Sequence, residues 1–220
     1  MRIAEEHAQM ALPEASVGLL PCGCGTQTLP WFVGEGWAKR IILTGERIDA
    51  ATVLRIGLVE EVVGSGGAYE AALEVAARVA STSPDAVAYS KPLIHAAREG
   101  TPRRAALALE RERFVDLFDG ANQREGVGRV PGEAQASVER VMSTQGLLHE
   151  TPEVGFEMVN HVALVTLDRP HALNALSHDM IALLTKIFAR CAGEDSIAAV
   201  VLRGRRRAQA LSRRAQRSAA

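Results

Sequence analysis

The sequence predicts an α/β chain: a helix-rich first part followed by a β-α-β unit. Three observations predict it. Between Gly34 and Phe118, apolar residues recur at helical spacing in segments separated by glycine and proline. Over His161–Leu167 the pattern changes to alternation in β-branched and aliphatic residues, then returns to a helical period after Ser177, then to a second β-rich run at Ile197–Leu202. The chain has 220 residues, 47% apolar and 23% charged, enough for one domain with a sizeable core or two small ones.

Each element has a local reason. Gly34–Thr44 reads as a helix, with Trp37, Ile41 and Ile42 apolar at helical spacing and Gly45 as its stop. Asp49 is a good N-cap for Ala50–Ile56, which Gly57 ends. Leu58–Val63 reads as a short strand before the Gly64-Ser65-Gly66-Gly67 loop. Tyr69–Ala80 is an Ala-rich helix. Ser83 followed by Pro84 starts another, which runs to about Gly100 and is expected to kink at Pro92. Pro102–Phe118 puts Leu107, Phe114, Leu117 and Phe118 on one face. Gln123–Gly128 adds one turn, and Gly128–Glu153 has no convincing period. From Glu157 the β-α-β pattern begins, with Ser177 capping a helix to Cys191.

Composition excludes several classes. No run approaches the roughly 18 apolar residues of a membrane span. The start, Met1-Arg2-Ile3-Ala4-Glu5-Glu6-His7, lacks the pattern of a signal peptide. Three cysteines do not make a disulfide framework, so a cytoplasmic, reducing compartment is expected. From Arg203 onward there are seven arginines and no acids, which leaves 18 basic against 26 acidic residues in the body. That body is a poor nucleic-acid binder, and any such activity would sit in the tail. The tail 205–220 reads as disordered.

Two stretches carry chemistry. One is Ala11-Leu12-Pro13-Glu14-Ala15-Ser16-Val17-Gly18-Leu19-Leu20-Pro21-Cys22-Gly23-Cys24-Gly25-Thr26-Gln27, followed by Leu43-Thr44-Gly45-Glu46-Arg47-Ile48-Asp49-Ala50 and Gly57-Leu58-Val59-Glu60-Glu61-Val62-Val63. The other is Val162–Leu167 followed by Asp168-Arg169-Pro170-His171-Ala172-Leu173-Asn174-Ala175-Leu176. The first resembles the active-site segment and C-terminal portion of the enoyl-CoA hydratase/isomerase (crotonase) family. The second resembles the start of the same family's domain, so the family's beginning follows its end. The resemblance implies a partial crotonase-like (ClpP/crotonase) fold. Its expected parts are a C-terminal portion (1–128), a junction (129–155), an N-terminal β-α-β portion (156–204) and the Arg-rich tail (205–220). Docking of the two portions as a shortened, circularly permuted domain is the alternative.

The family's chemistry needs two backbone N–H groups as an oxyanion hole, two carboxylates to activate water and a groove for coenzyme A. The resemblance makes Glu14 one of the two glutamates; taken alone, Pro13-Glu14 is an ordinary helix start. It makes Ala172, Leu173 and Asn174 the positions that help hold coenzyme A, partly through backbone groups. The substrate implied is an acyl-CoA thioester, with no further cofactor and no metal. After Gly204 the family has a Cys-Ala-Gly-like donor segment, where this chain has Arg205-Arg206-Arg207. The second donor and other glutamate belong upstream of Met1. Weak or absent turnover is therefore expected. The abrupt end of the match at Gly204, and again near Gly128, resembles reading of a GC-rich gene in another frame.

Other residue groups have plainer readings. Cys22-Gly23-Cys24-Gly25 stands where the family more often has Gly-Ala-Gly-Gly, so a side chain at Cys24 is expected to strain the loop. The functional alternative at Cys22 and Cys24 is a metal or redox pair, which is disfavoured, and two cysteines without a partner pair make a poor zinc signal. His161, His171 and His178 read as loop and helix-start residues rather than ligands, and Asp168 and Arg169 as turn contacts. Three functions follow: hydration of a 2-enoyl-CoA with Glu14 activating water, homo-oligomerisation or association with intact relatives through the helices of Tyr69–Phe118, and, least favoured, nucleic-acid binding by the tail. Missing core strands would leave exposed apolar edges prone to association.

Overall fold

The computed structural model describes residues 1–118, 120, 123 and 153–205. Among these, seven strands and six α-helices follow in the order β1 (Ile3–Glu5), β2 (Gln9–Met10), α1 (Gly25–Thr44), β3 (Ile48–Asp49), α2 (Ala50–Arg55), β4 (Glu61–Val63), α3 (Ala68–Ala80), α4 (Pro84–Arg98), α5 (Arg103–Phe118), β5 (Val154–Val159), β6 (Val162–Leu167), α6 (His178–Gly193) and β7 (Ala199–Gly204). Two 3₁₀ turns, Glu14–Val17 and Pro170–Ala172, precede α1 and α6. The chain is α/β as the sequence predicts. The further turn expected at Gln123–Gly128, most of the junction and the tail beyond Arg205 lie outside the described residues. Two compact units divide the chain, one with Met1–Val75 and the helices from Thr82 onward, the other with β5–β7, α6 and the segment Ala76–Ser81.

In the first unit β1 pairs in parallel with β4, and β2 antiparallel with β3. Ala4, Leu29, Val33, Ala38, Ile41, Ile48, Val53 and Val59 form its core. α1 is two helices joined at Gly34, whose φ of 76° and ψ of 160° leave the helical region. A straight helix of this length would span about 30 Å, yet both ends rest on one dipeptide. A Cβ on Gly25 would lie 3.9 Å from Leu12 Cδ1, and one on Gly45 3.2 Å from Pro13 Cα. The Gly34–Thr44 prediction therefore covers only the second half of α1. The first half escapes a periodicity reading because Pro30 lies within it and its N-cap, Cys24, offers no side-chain cap.

One further expectation is corrected. Leu58 and Val59 are not strand: both amides donate to Val53 O, at 2.8 and 3.3 Å, wrapping the end of α2. Only Glu61–Val63 joins a ladder. The helix expected from Ser83 is α4, which runs through Pro92 to Arg98. The carbonyl that Pro92 cannot bond belongs to exposed Ala88, where water can satisfy it.

α4 and α5 contain no buried residue. Arg113 of α5 lies over the Tyr89 ring of α4 at 5.2 Å, and Arg98 over Trp31 at 4.6 Å. The predicted face of α5 stays open, with Phe114 64% and Phe118 57% exposed.

In the second unit β6 is the central strand, antiparallel to β5 and parallel to β7. Val162–Thr166 is buried throughout. α6 buries Met180, Leu183, Leu184 and Ile187 against Val154 and Val165. That is the i, i+3, i+4, i+7 stripe of an amphipathic helix. Each buried side chain of this kind contributes about 1.5–3 kcal/mol.

Candidate functional site

Glu14 opens the Glu14–Val17 3₁₀ turn, directly after Pro13. Ser16 fixes the turn from both its groups, with N donating to Pro13 O at 2.9 Å and Oγ donating to the same oxygen at 2.7 Å. Gly18, in the left-handed region at φ 77°, closes it. Because Pro13 packs on Gly45 and Leu12 approaches Gly25, both ends of α1 fix the segment that carries Glu14. The residue is half-buried, but its Oε2 is fully buried and meets no hydrogen-bond partner among the described residues. A buried polar atom left open calls for an explanation, because desolvation without a partner costs about 1–3 kcal/mol.

The turn at Ala172-Leu173-Asn174 lies in the second unit, between β6 and α6. Leu173 and Asn174 are both left-handed, at φ 54° and 58°. The amides of Ala172, Leu173, Asn174 and Ala175 all donate inside the turn, to Arg169 O, Pro170 O, Arg169 O and Ala172 O, at 2.9–3.3 Å. Leu173 is 87% exposed.

Asn174 does something different from its neighbours. Its Oδ1 accepts from Arg169 N at 2.8 Å and its Nδ2 donates to Arg205 O at 3.0 Å. The side chain is thus committed to tying this turn to the end of β7, which leaves the carbonyl oxygen of residue 174 for any ligand role. Gly204 makes room for it: a Cβ there would lie 2.5 Å from Asn174 Nδ2.

Charged partners hold the same turn. Arg205 Nη1 lies 2.6 Å from Asp168 Oδ2, and Arg205 N donates to Leu167 O at 2.7 Å. Arg169 Nη1 donates to Ala175 O at 3.1 Å. Arg169 Nε sits 3.1 Å from Glu153 Oε1, close enough for an ion pair, though its N–H is not aimed for a hydrogen bond. Ser177 Oγ donates to Glu153 Oε2 at 3.2 Å while accepting from Met180 N at 3.2 Å. Asp168 and Arg169 are therefore turn contacts, as expected. Glu153 and Gly204 were missed. Glu153 stood in a stretch without period, whereas Gly204, a glycine closing a β-rich run, carries the usual signal of a close approach.

Cys22 and Cys24 are both exposed, and Cys24 takes φ 69° where the resemblance expects glycine. His161 Nδ1 is 3.0 Å from Ser196 O, a turn contact. Among the described residues no group of three His, Cys, Asp or Glu is placed to hold a metal ion, and no helix is long and apolar enough to cross a membrane.

Comparison with known proteins places these features. Residues 1–131 match a family profile described as enoyl-CoA hydratase/isomerase, and residues 162–211 match a second profile of the same description. The chain is 37% identical over 127 residues to the short-chain-enoyl-CoA hydratase of Clostridium acetobutylicum, covering 58% of this chain and 48% of the relative. It is 35% identical over 125 residues to the 2,3-dehydroadipyl-CoA hydratase of Escherichia coli, covering 57% and 49%. Among solved structures it resembles DspI of Pseudomonas aeruginosa, at 66% identity and a TM-score of 0.55, over 58% of this chain and 48% of that one. It also resembles the enoyl-CoA hydratase of Bacillus anthracis, at 35% identity and a TM-score of 0.55, over 57% and 48%. The chain spans about half the length of the relatives it matches. With a profile covering more than half of its residues, and with that profile's own segment bearing Glu14, the chain belongs to the enoyl-CoA hydratase/isomerase family.

Proposed function

We propose that this chain binds acyl-CoA thioesters and that Glu14 is an acid–base group, acting on water that adds to a 2-enoyl-CoA. The observation that carries this reading is the buried, unpartnered Oε2 of Glu14. Once the half-buried side chain turns that oxygen outward, it can accept a hydrogen bond from a water and take its proton as the water oxygen attacks the β-carbon. The turn at Ala172-Leu173-Asn174 is the proposed coenzyme A contact. Its amides are already used inside the turn, so it offers carbonyl oxygens to a ligand donor, such as an exocyclic amine, and the exposed Leu173 side chain to a ring face. The substrate needs no additional cofactor in this scheme.

Turnover is proposed to be weak. A strand exit reading Arg205-Arg206-Arg207 replaces the donor segment that the resemblance calls for. Loss of one oxyanion donor typically costs ~10²–10³ in kcat. The test is hydration of crotonyl-CoA by the purified chain beside Glu14→Gln, with calorimetric titration of coenzyme A. Coenzyme A binding with a slow rate that Glu14→Gln abolishes is expected. A rate unchanged by the substitution refutes the role of Glu14, and no binding of coenzyme A refutes the acyl-CoA reading.

A second reading has its own observation. Ile94, Leu107, Phe114, Val115 and Phe118 of α4 and α5 are 50–67% exposed, a large apolar display for one helix pair. It suits a subunit that joins itself or intact relatives through these helices. Self-association or co-elution with an active relative is expected, and separate elution of the two chains with this one at its monomer size removes the reading.

A further inference from the structure

We propose that Cys22 and Cys24 form a reversible dithiol–disulfide site that exchanges with low-molecular-weight disulfides such as oxidised glutathione. The proposal stands on the geometry of one turn and does not depend on the role of Glu14. Both thiols are exposed and free. A single glycine separates them within a turn over residues 22–24, where Gly23 has a positive φ of 67° and Cys24 is left-handed at φ 69° and ψ 11°. Disulfides need Cα atoms about 4.4–6.8 Å apart. A residue curled into a helical region of either hand holds its two neighbours' Cα atoms about 5.4 Å apart, whereas an extended one separates them by roughly 7 Å. The turn at 22–24 bends the chain rather than extending it, as a closed ring requires.

The two ends of the ring are held differently. Cys24 is fixed by α1, since its carbonyl accepts from Gln27 N at 3.0 Å and from Thr28 N at 2.7 Å. Cys22 follows the buried Pro21, whose ring lies where a Cβ on Gly25 would approach to 2.9 Å. The turn is therefore anchored on both sides of the two sulfurs. Cys191 gives the contrast: it lies against the core of the second unit, and burial pushes its thiol up.

The exchange balances without any other reagent. A Cys22 or Cys24 thiolate attacks one sulfur of glutathione disulfide, and one glutathione leaves as a thiol after taking a proton. The other cysteine thiolate attacks the protein sulfur, and the second glutathione leaves. Two protein thiols are oxidised and one glutathione disulfide is reduced. A ring this small is strained, so reduced glutathione reopens it readily.

The test uses the full chain in glutathione buffers of rising oxidised-to-reduced ratio, followed by acid quench, alkylation and tryptic mapping. Peptide Ile3–Lys39 contains both Cys22 and Cys24 and no other cysteine, and Cys191–Arg203 carries the control. The expected result is loss of two hydrogens from Ile3–Lys39 without a glutathione adduct, reversed by excess reduced glutathione, while Cys191–Arg203 remains alkylated. Cys22→Ser and Cys24→Ser should each instead retain one glutathione. A wild-type Ile3–Lys39 that accumulates glutathione adducts, or that stays doubly alkylated at every ratio, overturns the proposal.

Discussion

Replacing Gly204 with alanine tests the clamp between β7 and the 172–174 turn. The new Cβ would lie 2.5 Å from Asn174 Nδ2 and 3.3 Å from its Cγ, well inside contact distance. Asn174 must then swing away and lose the bonds from Arg169 N and to Arg205 O, at 2.8 and 3.0 Å. Two such bonds contribute about 1–3 kcal/mol together. Alanine recovers about 0.5–1 kcal/mol through the backbone entropy that glycine gives up on folding. The net cost is about 0.5–2 kcal/mol, a factor of roughly 2–30 in the opening equilibrium. Fluorescence would miss it, because both tryptophans, Trp31 and Trp37, lie in the first unit. Hydrogen exchange of β6 and β7 amides reads it directly, and exchange should quicken by that factor. The cycle with Asn174→Gly sharpens the test: glycine keeps the left-handed φ of 58° but removes the obstacle. Gly204→Ala should then stabilise by about 0.5–1 kcal/mol in the Asn174→Gly background, and exchange should slow. Additive effects, or unchanged exchange in Gly204→Ala alone, would refute the clamp.

Cys24→Gly should stabilise the first unit by about 0.5–1 kcal/mol, the relief of a left-handed side chain less the added chain entropy; an unchanged urea midpoint by tryptophan fluorescence contradicts this. Ser177→Ala should cost about 1 kcal/mol in the second unit by loss of a helix cap, visible as faster exchange in α6, and equal exchange would mean that Glu153 and Met180 find other partners. Glu60 is held below its ordinary value of 4.5 by its hydrogen bond with Arg2. Its contribution is therefore full above that pH and is lost as pH falls through the lowered folded value, so Glu60→Gln should flatten the acid limb of a stability–pH curve, and an unaltered limb counts against the pair. Translating the coding DNA past codon 204 in the other two frames should give a Cys-Ala-Gly-type continuation; its absence from both frames removes the frame-change reading.

Legibility in the sequence tracked how local the cause was. Asp49, Ser83 and Ser177 are readable as caps, and each accepts from the amide three residues on, Thr52, Ala86 and Met180. The α6 stripe is readable because its period is uninterrupted. What escaped depended on distant partners. Leu58 and Val59 have strand-like side chains, yet their amides are taken by Val53 O. The first half of α1 hides behind Pro30, and its bend depends on both ends meeting Leu12-Pro13. At the candidate site, Glu14 is legible as a type of residue in a type of segment, but the burial of one of its oxygens is not. Asn174 shows the reverse case, since the sequence marks the position while only the fold reveals that its side chain is spent on Arg169 and Arg205.

The bend in α1 also bears on how the first unit withstands cutting. Gly34, Glu35 and Gly36 are exposed at the elbow, while Leu29 and Val33 on one side and Ala38 and Ile41 on the other share one core. A protease that nicks the elbow severs the chain without separating its pieces. Each arm keeps its own buried residues and its own rest against Leu12-Pro13. The two fragments should migrate apart only under denaturing conditions, and, once separated, should find each other again as a complementing pair.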